Sequence, residues 1–171
     1  ENLLHWSKAQ TGKLDFKQDY VKISNIFKDN IDLLSSNIST KKISLINDIN
    51  ENLDVFVDKN MIDTVVRNLL SNSIKYSYPD TKICINSEIG SDFIKINIKD
   101  TGVGITQDNI DKIFRIGSIV STYGTNEEKG SGLGLIICKE FIERNNGTIN
   151  IFSDGKTGTT VSITLPLDNN I

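Results

Sequence analysis

Asn68 and Asn72 stand one helical turn apart in the segment Asn68-Leu69-Leu70-Ser71-Asn72-Ser73-Ile74-Lys75-Tyr76. Lys75 and Tyr76 lie a further turn along the same stripe. An asparagine carbonyl oxygen suits Mg²⁺, a hard ion that takes oxygen ligands and shares them with phosphates. Lys75 adds positive charge for a phosphate. The plain alternative is a set of solvated side chains in an asparagine-rich chain. A second cluster, Asp100-Thr101-Gly102-Val103-Gly104, directly follows a strand pattern. Its glycines let backbone approach a flat ligand, and its carboxylate is an acceptor suited to the exocyclic amine of adenine. A simple strand-to-loop turn would read the same way. The third cluster, Gly130-Ser131-Gly132-Leu133-Gly134-Leu135, opens a helix. Helix N-terminal N–H groups freed of bulky side chains form a phosphate cradle. No Gly-Lys-Ser/Thr follows, so this is not a Walker loop. The loop ahead of it also replaces the strand that a dinucleotide-binding fold requires. A flexible hinge is the alternative here.

Composition narrows the classes. The chain has 171 residues and a mass of 19.0 kDa, about one domain. At that length a hydrophobic core suffices without disulfides or a structural metal. Net charge is −3, with 19 basic and 22 acidic residues interspersed, which argues against a nucleic-acid backbone or an anionic membrane as the main partner. Cys84 and Cys138 sit in apolar patterns and read as two free buried thiols in a reducing compartment. No uncharged apolar run approaches the roughly 20 residues that cross a bilayer, and no signal peptide is apparent. The chain opens on Glu1 rather than Met, which leads us to expect a piece of something longer.

Residues 2–10 have the pattern of a helix end, broken at Thr11-Gly12. An extended piece at 14–17 follows. Helical spacing of Ile23, Ile26, Phe27, Ile31, Leu34 and Ile38 predicts a helix from Asp19 to about Ser39. Two short strands, 43–49 and 55–57, flank an Asn50-Glu51-Asn52 turn. Asp58 is a good N-cap for a helix to about Tyr76, burying Ile62, Val65, Val66, Leu69 and Leu70. Alternation then predicts strands at 82–89 and 93–99, with Ile94, Ile96 and Ile98 on one face. A short helix at about 108–114, a loop at 117–131 and a helix at about 132–144 come next. Strands at 148–152 and 159–165 close the chain around a Gly155–Gly158 turn. The expected fold class is α+β, a two-layer sandwich with helices on one face of a mixed, mostly antiparallel sheet.

Taken together and in this order, the three clusters resemble the ATP-binding domain of sensor histidine kinases. That domain is the Bergerat fold, shared with gyrase, the mismatch-repair ATPases and a heat-shock chaperone. The resemblance covers about residues 14–166. It implies a division into 1–12, the end of the dimerisation and phosphoacceptor hairpin, and 13–171, the catalytic ATP-binding domain. Asn72 then corresponds to the Mg²⁺-binding asparagine, with Asn68 the earlier asparagine of its box. Lys75 and Tyr76 match positions facing the phosphates and the nucleotide edge. Asp100 matches the aspartate that bonds the adenine amine, in a pocket shaped by Gly102 and Gly104. Gly130, Gly132 and Gly134, with Leu133 among them, match the second glycine box around the phosphates under a mobile lid. Lys129 is placed to meet the γ-phosphate, and Thr159 or Thr160 to reach adenine through water.

Two departures stand out. Phe114 is present in the family's phenylalanine box, but Gly117 holds the second aromatic position, so the expectation is either looser lid docking or docking through Ile116 or Ile119. The third glycine site, Gly155-Lys156-Thr157-Gly158, is one residue longer than the usual Gly-x-Gly.

Hydrolysing members of the superfamily carry a glutamate general base where this chain has Asn68. An amide takes no proton, so the resemblance implies transfer of the γ-phosphoryl group to a histidine rather than to water. A serine kinase of the anti-sigma type, which carries that glutamate, is disfavoured for the same reason. His5 is the only histidine and matches no phosphoacceptor motif, so the acceptor is expected on the adjoining helical domain. Implied partners are that domain and a response regulator receiver, with a homodimeric parent and no nucleic acid or direct membrane contact. Implied cofactors are ATP and Mg²⁺, and the implied location is the cytoplasm, with membrane anchoring of the parent protein left open. The competing reading is a nucleotide-responsive module of a kinase acting mainly as phosphatase or scaffold.

Overall fold

A computed structural model describes residues 15–115, 124–126, 128 and 132–167. The expected helix end at 2–10, His5, and most of the 117–131 loop lie outside the described residues. Strand β1 (Asp19–Lys22) leads into helices α1 (Ile23–Leu33) and α2 (Ser35–Thr40). Strands β2 (Ser44–Asp48) and β3 (Asp54–Val57) precede the long helix α3 (Lys59–Tyr76). A hairpin of β4 (Lys82–Ile89) and β5 (Phe93–Asp100) follows, then the short helix α4 (Gln107–Ile110). Helix α5 (Gly134–Arg144) and strands β6 (Thr148–Ser153) and β7 (Thr159–Pro166) complete the order.

The main sheet has five strands in the order β2-β4-β5-β7-β6. Only β2 and β4 run parallel; the other pairs are antiparallel. Ile94, Ile96 and Ile98 of β5 are fully buried, together with Ile83 and Ile85 of β4. They meet Ile62, Val65, Val66, Leu69 and Leu70 of α3 in one core, flanked by α1 and α5. On the other face, Asn86, Asn97, Ser162 and Asn150 form one row across four strands. Ser162 donates to Asn97 at 2.6 Å, and Asn97 donates to Asn86 at 2.9 Å. A polar outer row has no use for a second helical layer, so the architecture stops at two layers, as expected.

Three sequence expectations change. Residues 19–22 are a strand, not the first turn of a helix, because Val21 is buried by antiparallel pairing with β3, where Tyr20 opposes Phe56. The predicted strands around Asn50-Glu51-Asn52 are real but belong to different sheets: β2 joins β4, and β3 joins β1. The helix predicted at 108–114 is regular only over α4. Helix α3, by contrast, starts and stops as read. Asp58 accepts the Met61 N–H at 3.0 Å as N-cap, an interaction worth about 1 kcal/mol. Asn145 secures the same corner: it accepts the Asp58 N–H at 2.7 Å and donates to the Phe141 carbonyl at 2.8 Å. The end of α5 is thereby tied to the start of α3. The two cysteines are free, with Cys138 buried and Cys84 partly so.

Candidate functional site

Asn68, Asn72, Lys75 and Tyr76 are half-buried along α3, beside the fully packed Leu69 and Leu70. Asn68 donates its amide to the Thr64 carbonyl at 3.0 Å, which turns its Oδ1 away from its own helix. A Cβ on Gly134 would lie 3.3 Å from that oxygen, so the first residue of α5 packs directly on Asn68. Asn72 makes no hydrogen bond to any described residue and presents a spare carbonyl oxygen. The Lys75 ammonium sits 4.8 Å from the centroid of the Tyr76 ring.

Asp100 ends β5 and is only 5% exposed. Its Oδ1 accepts N–H groups from Gly102 at 2.9 Å and Thr159 at 3.1 Å. Its Oδ2 bonds no described residue, yet it is not a sealed atom: among the described residues the only sealed, unpartnered side-chain polar atom is Ser77 Oγ. One oxygen is fixed, and the other is without a described partner in a residue that lines a groove. Burial pushes the Asp100 carboxyl above the ordinary aspartate range, outweighing the two N–H donors that favour the anion. Strand alternation puts the two candidate threonines in different surroundings. Thr159 is buried beside Asp100, whereas Thr160 pairs with Lys99 and Phe152 and lies on the opposite face of the sheet.

The glycines were expected to admit a flat ligand; in the structure they first admit other backbone. A side chain on Gly102 would overlap the Tyr76 carbonyl oxygen, to which Val103 N–H donates at 3.1 Å. Gly104, at φ +72°, would place a Cβ 2.7 Å from the Lys156 nitrogen. Gly158, at φ +114°, would overlap the Asp100 carbonyl oxygen. These contacts lock the 101–104 loop between the end of α3 and the 153–158 turn. Ser153, absent from the sequence reading, joins the same loops by donating to Gly158 O at 2.6 Å and accepting Ile105 N–H at 2.9 Å.

The extra residue in the third glycine site is absorbed locally. Asp154 accepts the N–H groups of Lys156 and Thr157, each at 2.8 Å, and the Thr157 hydroxyl at 2.6 Å. The Thr157 hydroxyl, with those N–H groups, holds the Asp154 carboxyl down at about 2. The longer turn is thus a self-contained Asx-type structure, and Gly158 still reaches Asp100.

Of the glycine-rich run, Gly130 lies outside the described residues together with Lys129. Gly132 adopts φ +71°, and Leu133 is the N-cap of α5 with no side-chain cap. Helix α5 therefore begins on a glycine, Gly134, that packs against Asn68. Among the described residues, Gly102 of the second cluster meets α3 at Tyr76, and Gly134 of the third meets it at Asn68.

The histidine kinase-, DNA gyrase B- and HSP90-like ATPase family matches residues 57–169. The chain belongs to this ATPase family. It is 30% identical over 172 residues to hybrid signal transduction histidine kinase B of Dictyostelium discoideum, covering 96% of this chain and 9% of that protein. It is 29% identical over 150 residues to sporulation kinase E of Bacillus subtilis, covering 86% of this chain and 20% of that one. The nucleotide-free catalytic domain of histidine kinase ThkA superposes with a TM-score of 0.75 at 26% identity, covering 90% of this chain and 96% of that domain. This ATPase domain spans a fifth or less of those two kinases' lengths. None of its described helices is long and apolar enough to cross a membrane.

Within the ATPase domain, the donor set fits a metal shared with a ligand. No group of three or more His, Cys, Asp or Glu among the described residues forms a metal cage. What the domain offers is the neutral amide oxygen of Asn72, half-buried and without a hydrogen bond to any described residue, one helical turn beyond the Asn68 that packs on Gly134. Mg²⁺ suits such a sparse set, because it keeps waters and takes substrate phosphate oxygens. A groove of about 600 Å³ borders Asp100 and Thr159 and extends to Gln107 and Ile110. Another groove of about 600 Å³ lies around β1, between Asp15 and Asn60, remote from these residues. Phe114 is half-buried against the core, with the Lys139 ammonium 5.5 Å from its ring centroid, while Ile116, Gly117 and Ile119 lie outside the described residues. Sequence reading overlooked one cation altogether. Lys41 is buried under the C-terminus of α3.

Proposed function

We propose that the domain binds Mg-ATP and donates the γ-phosphoryl group to a histidine on an adjoining helical domain. The observation that carries this reading is the Asp100 carboxylate. Its Oδ1 is held by two backbone N–H groups, so Oδ2 is fixed in direction and ready to accept the adenine amine. From there, Tyr76, Lys75, Asn72 and Asn68 lead along α3 to the first turn of α5, where the phosphates would meet backbone N–H groups. Asn72 would hold Mg²⁺, which neutralises developing charge on the phosphates.

In the transfer, the bond between the γ-phosphorus and the β–γ bridging oxygen breaks. A phosphorus–nitrogen bond forms to the unprotonated imidazole, and ADP leaves with the oxygen. Asn68 offers water no proton acceptor, and its amide is already committed to Thr64. This chain's residues therefore position and stabilise charge rather than activate water. The acceptor domain and a response regulator receiver are the proposed partners, within a homodimeric cytoplasmic assembly.

Titrating ATP into the chain with and without Mg²⁺ tests the reading. Native affinity should rise on adding Mg²⁺, and Asn72→Ala should lose most of that gain, about tenfold for one charge-assisted contact. Equal Mg²⁺ dependence in the variant would remove Asn72 from the metal.

Acidity supplies another check. Protonating Asp100 turns the acceptor facing the adenine amine into a donor. Adenosine affinity should be full above the folded-state pKa and fall as pH drops through it. Because that pKa is raised above 3.8, the loss should begin at a higher pH than for an ordinary aspartate. The ligand-free fold runs the other way. A raised carboxyl contributes stability below the unfolded pKa and loses it as pH rises through the folded one. Calorimetric titration of adenosine between pH 4 and 8 reads this; a flat profile would contradict the role of Asp100.

A further inference from the structure

Lys41 closes α2 and is 4% exposed. Its ammonium donates to the carbonyls of Ile74 at 3.1 Å, Lys75 at 2.8 Å and Ser77 at 3.5 Å, at the C-terminus of α3. Those carbonyls have no partner within the helix and carry the negative end of its dipole, so a buried cation suits them. The same ammonium donates to Thr125 Oγ1 at 2.7 Å and pairs with Glu128 Oε1 at 3.0 Å.

Residues 124–126 and 128 also bond to one another. Gly124 N–H donates to Glu128 O at 2.9 Å, and Asn126 N–H to Glu128 Oε2 at 2.8 Å. They are also seated on α3. Thr125 N–H donates to Lys75 O at 3.2 Å, and its hydroxyl to Ser77 O at 2.7 Å. A side chain on Gly124 would overlap Glu128 and the Lys75 side chain. The Glu128 carboxyl lies below its ordinary range: desolvation opposes this, but the Lys41 hydrogen bond and two N–H donors prevail.

Five residues separate Glu128 from the start of α5 at Gly134, and they include the glycine-rich run. The chain entering that run is therefore fastened, through Lys41, to the turn of α3 that bears Lys75 and Tyr76. We propose that Lys41 is a positioning residue for the triphosphate, pinning Thr125 and Glu128 to the end of α3 so that Lys75 and the Gly132–Gly134 start of α5 face the same phosphates. The proposal rests on the ATP-binding reading above. It assigns no contact between Lys41 and nucleotide, because every proton of the ammonium is already taken by protein oxygens.

Binding of ATP and of adenosine is measured for the native chain and for Glu128→Gln, Thr125→Val and Lys41→Met. Adenosine reports the Asp100 end alone, so it should change less than about twofold, while ATP weakens by about 5–20-fold, the range of ordinary coupling between linked elements. Lys41→Met can also damage the fold, since it takes the donor from the Ile74 carbonyl and the cation from Glu128. Glu128→Gln and Thr125→Val, at the half-exposed side of the network, carry the test in that event. Lys41→Arg, which keeps the cation, should restore much of the ATP affinity lost in Lys41→Met. Unchanged ATP affinity in both Glu128→Gln and Thr125→Val would overturn the pinning role, as would parallel loss of ATP and adenosine. A native chain that binds neither ligand would overturn the ATP reading and this proposal with it.

Discussion

Asp100→Asn should weaken ATP binding by about 10–100-fold, the cost of leaving a buried polar group mispaired against its ligand. The substitution is nearly isosteric, so the effect isolates chemistry from packing. The native Oδ1 accepts two backbone N–H groups, from Gly102 and Thr159. An asparagine must keep its single oxygen there, which turns its NH₂ toward the adenine amine and sets donor against donor. Flipping the amide instead faces NH₂ against the two backbone donors and loosens the loop. Neither arrangement serves both sides. Isothermal titration with ATP and with GTP distinguishes the cause. GTP presents a carbonyl where ATP presents its amine, so the variant should lose its preference for ATP over GTP as well as its affinity. An Asp100→Asn chain that binds ATP as tightly as native would remove adenine from this position.

Gly158→Ala should be among the most destabilising single-methyl changes in the molecule. A Cβ at Gly158 would overlap the Asp100 carbonyl oxygen and lie 2.8 Å from Thr101 Cα, both backbone atoms with little room to yield. At φ +114° the backbone conformation is also one that L residues rarely adopt. Overpacking and strain together should cost about 3–5 kcal/mol. Because Thr159 N–H holds Asp100 in place, nucleotide affinity should fall along with stability. Gly155→Ala is the internal control. Its φ is +77°, but the nearest atom to its Cβ is 3.4 Å away, so only conformational strain of about 1–2 kcal/mol applies. Urea midpoints for the two variants should therefore differ clearly, with adenosine binding lost only in Gly158→Ala. Equal midpoints would mean that the 153–158 turn moves freely against Asp100.

Much of this site is legible in the sequence because its parts are local. Helix α3 announces itself through the Asp58 cap and the spacing of Ile62, Val65, Val66, Leu69 and Leu70, and that spacing also puts Asn68, Asn72 and Lys75 on one stripe. The alternation of β5 places Asp100 in phase with the buried Ile94, Ile96 and Ile98. The helical reading of residues 19–22 failed for a reason of the opposite kind. Val21 is buried only because β3 pairs with it, and β3 lies more than thirty residues away in the chain. Nothing near Val21 in sequence can report that partner.

The sequence by itself determined which residue types could serve a nucleotide and on which elements they stand. It also determined that a two-layer α+β sandwich would carry them, since periodicity is a property of neighbours along the chain. Tertiary structure alone decided the rest. It set Thr159 rather than Thr160 on Asp100 and brought Gly134 against Asn68. It used Gly102 and Gly158 to press backbone on backbone, and it seated Lys41 beneath α3. Each of these depends on a close approach or hydrogen bond between groups far apart in sequence, and such contacts exist only once burial of the shared core has brought the elements together.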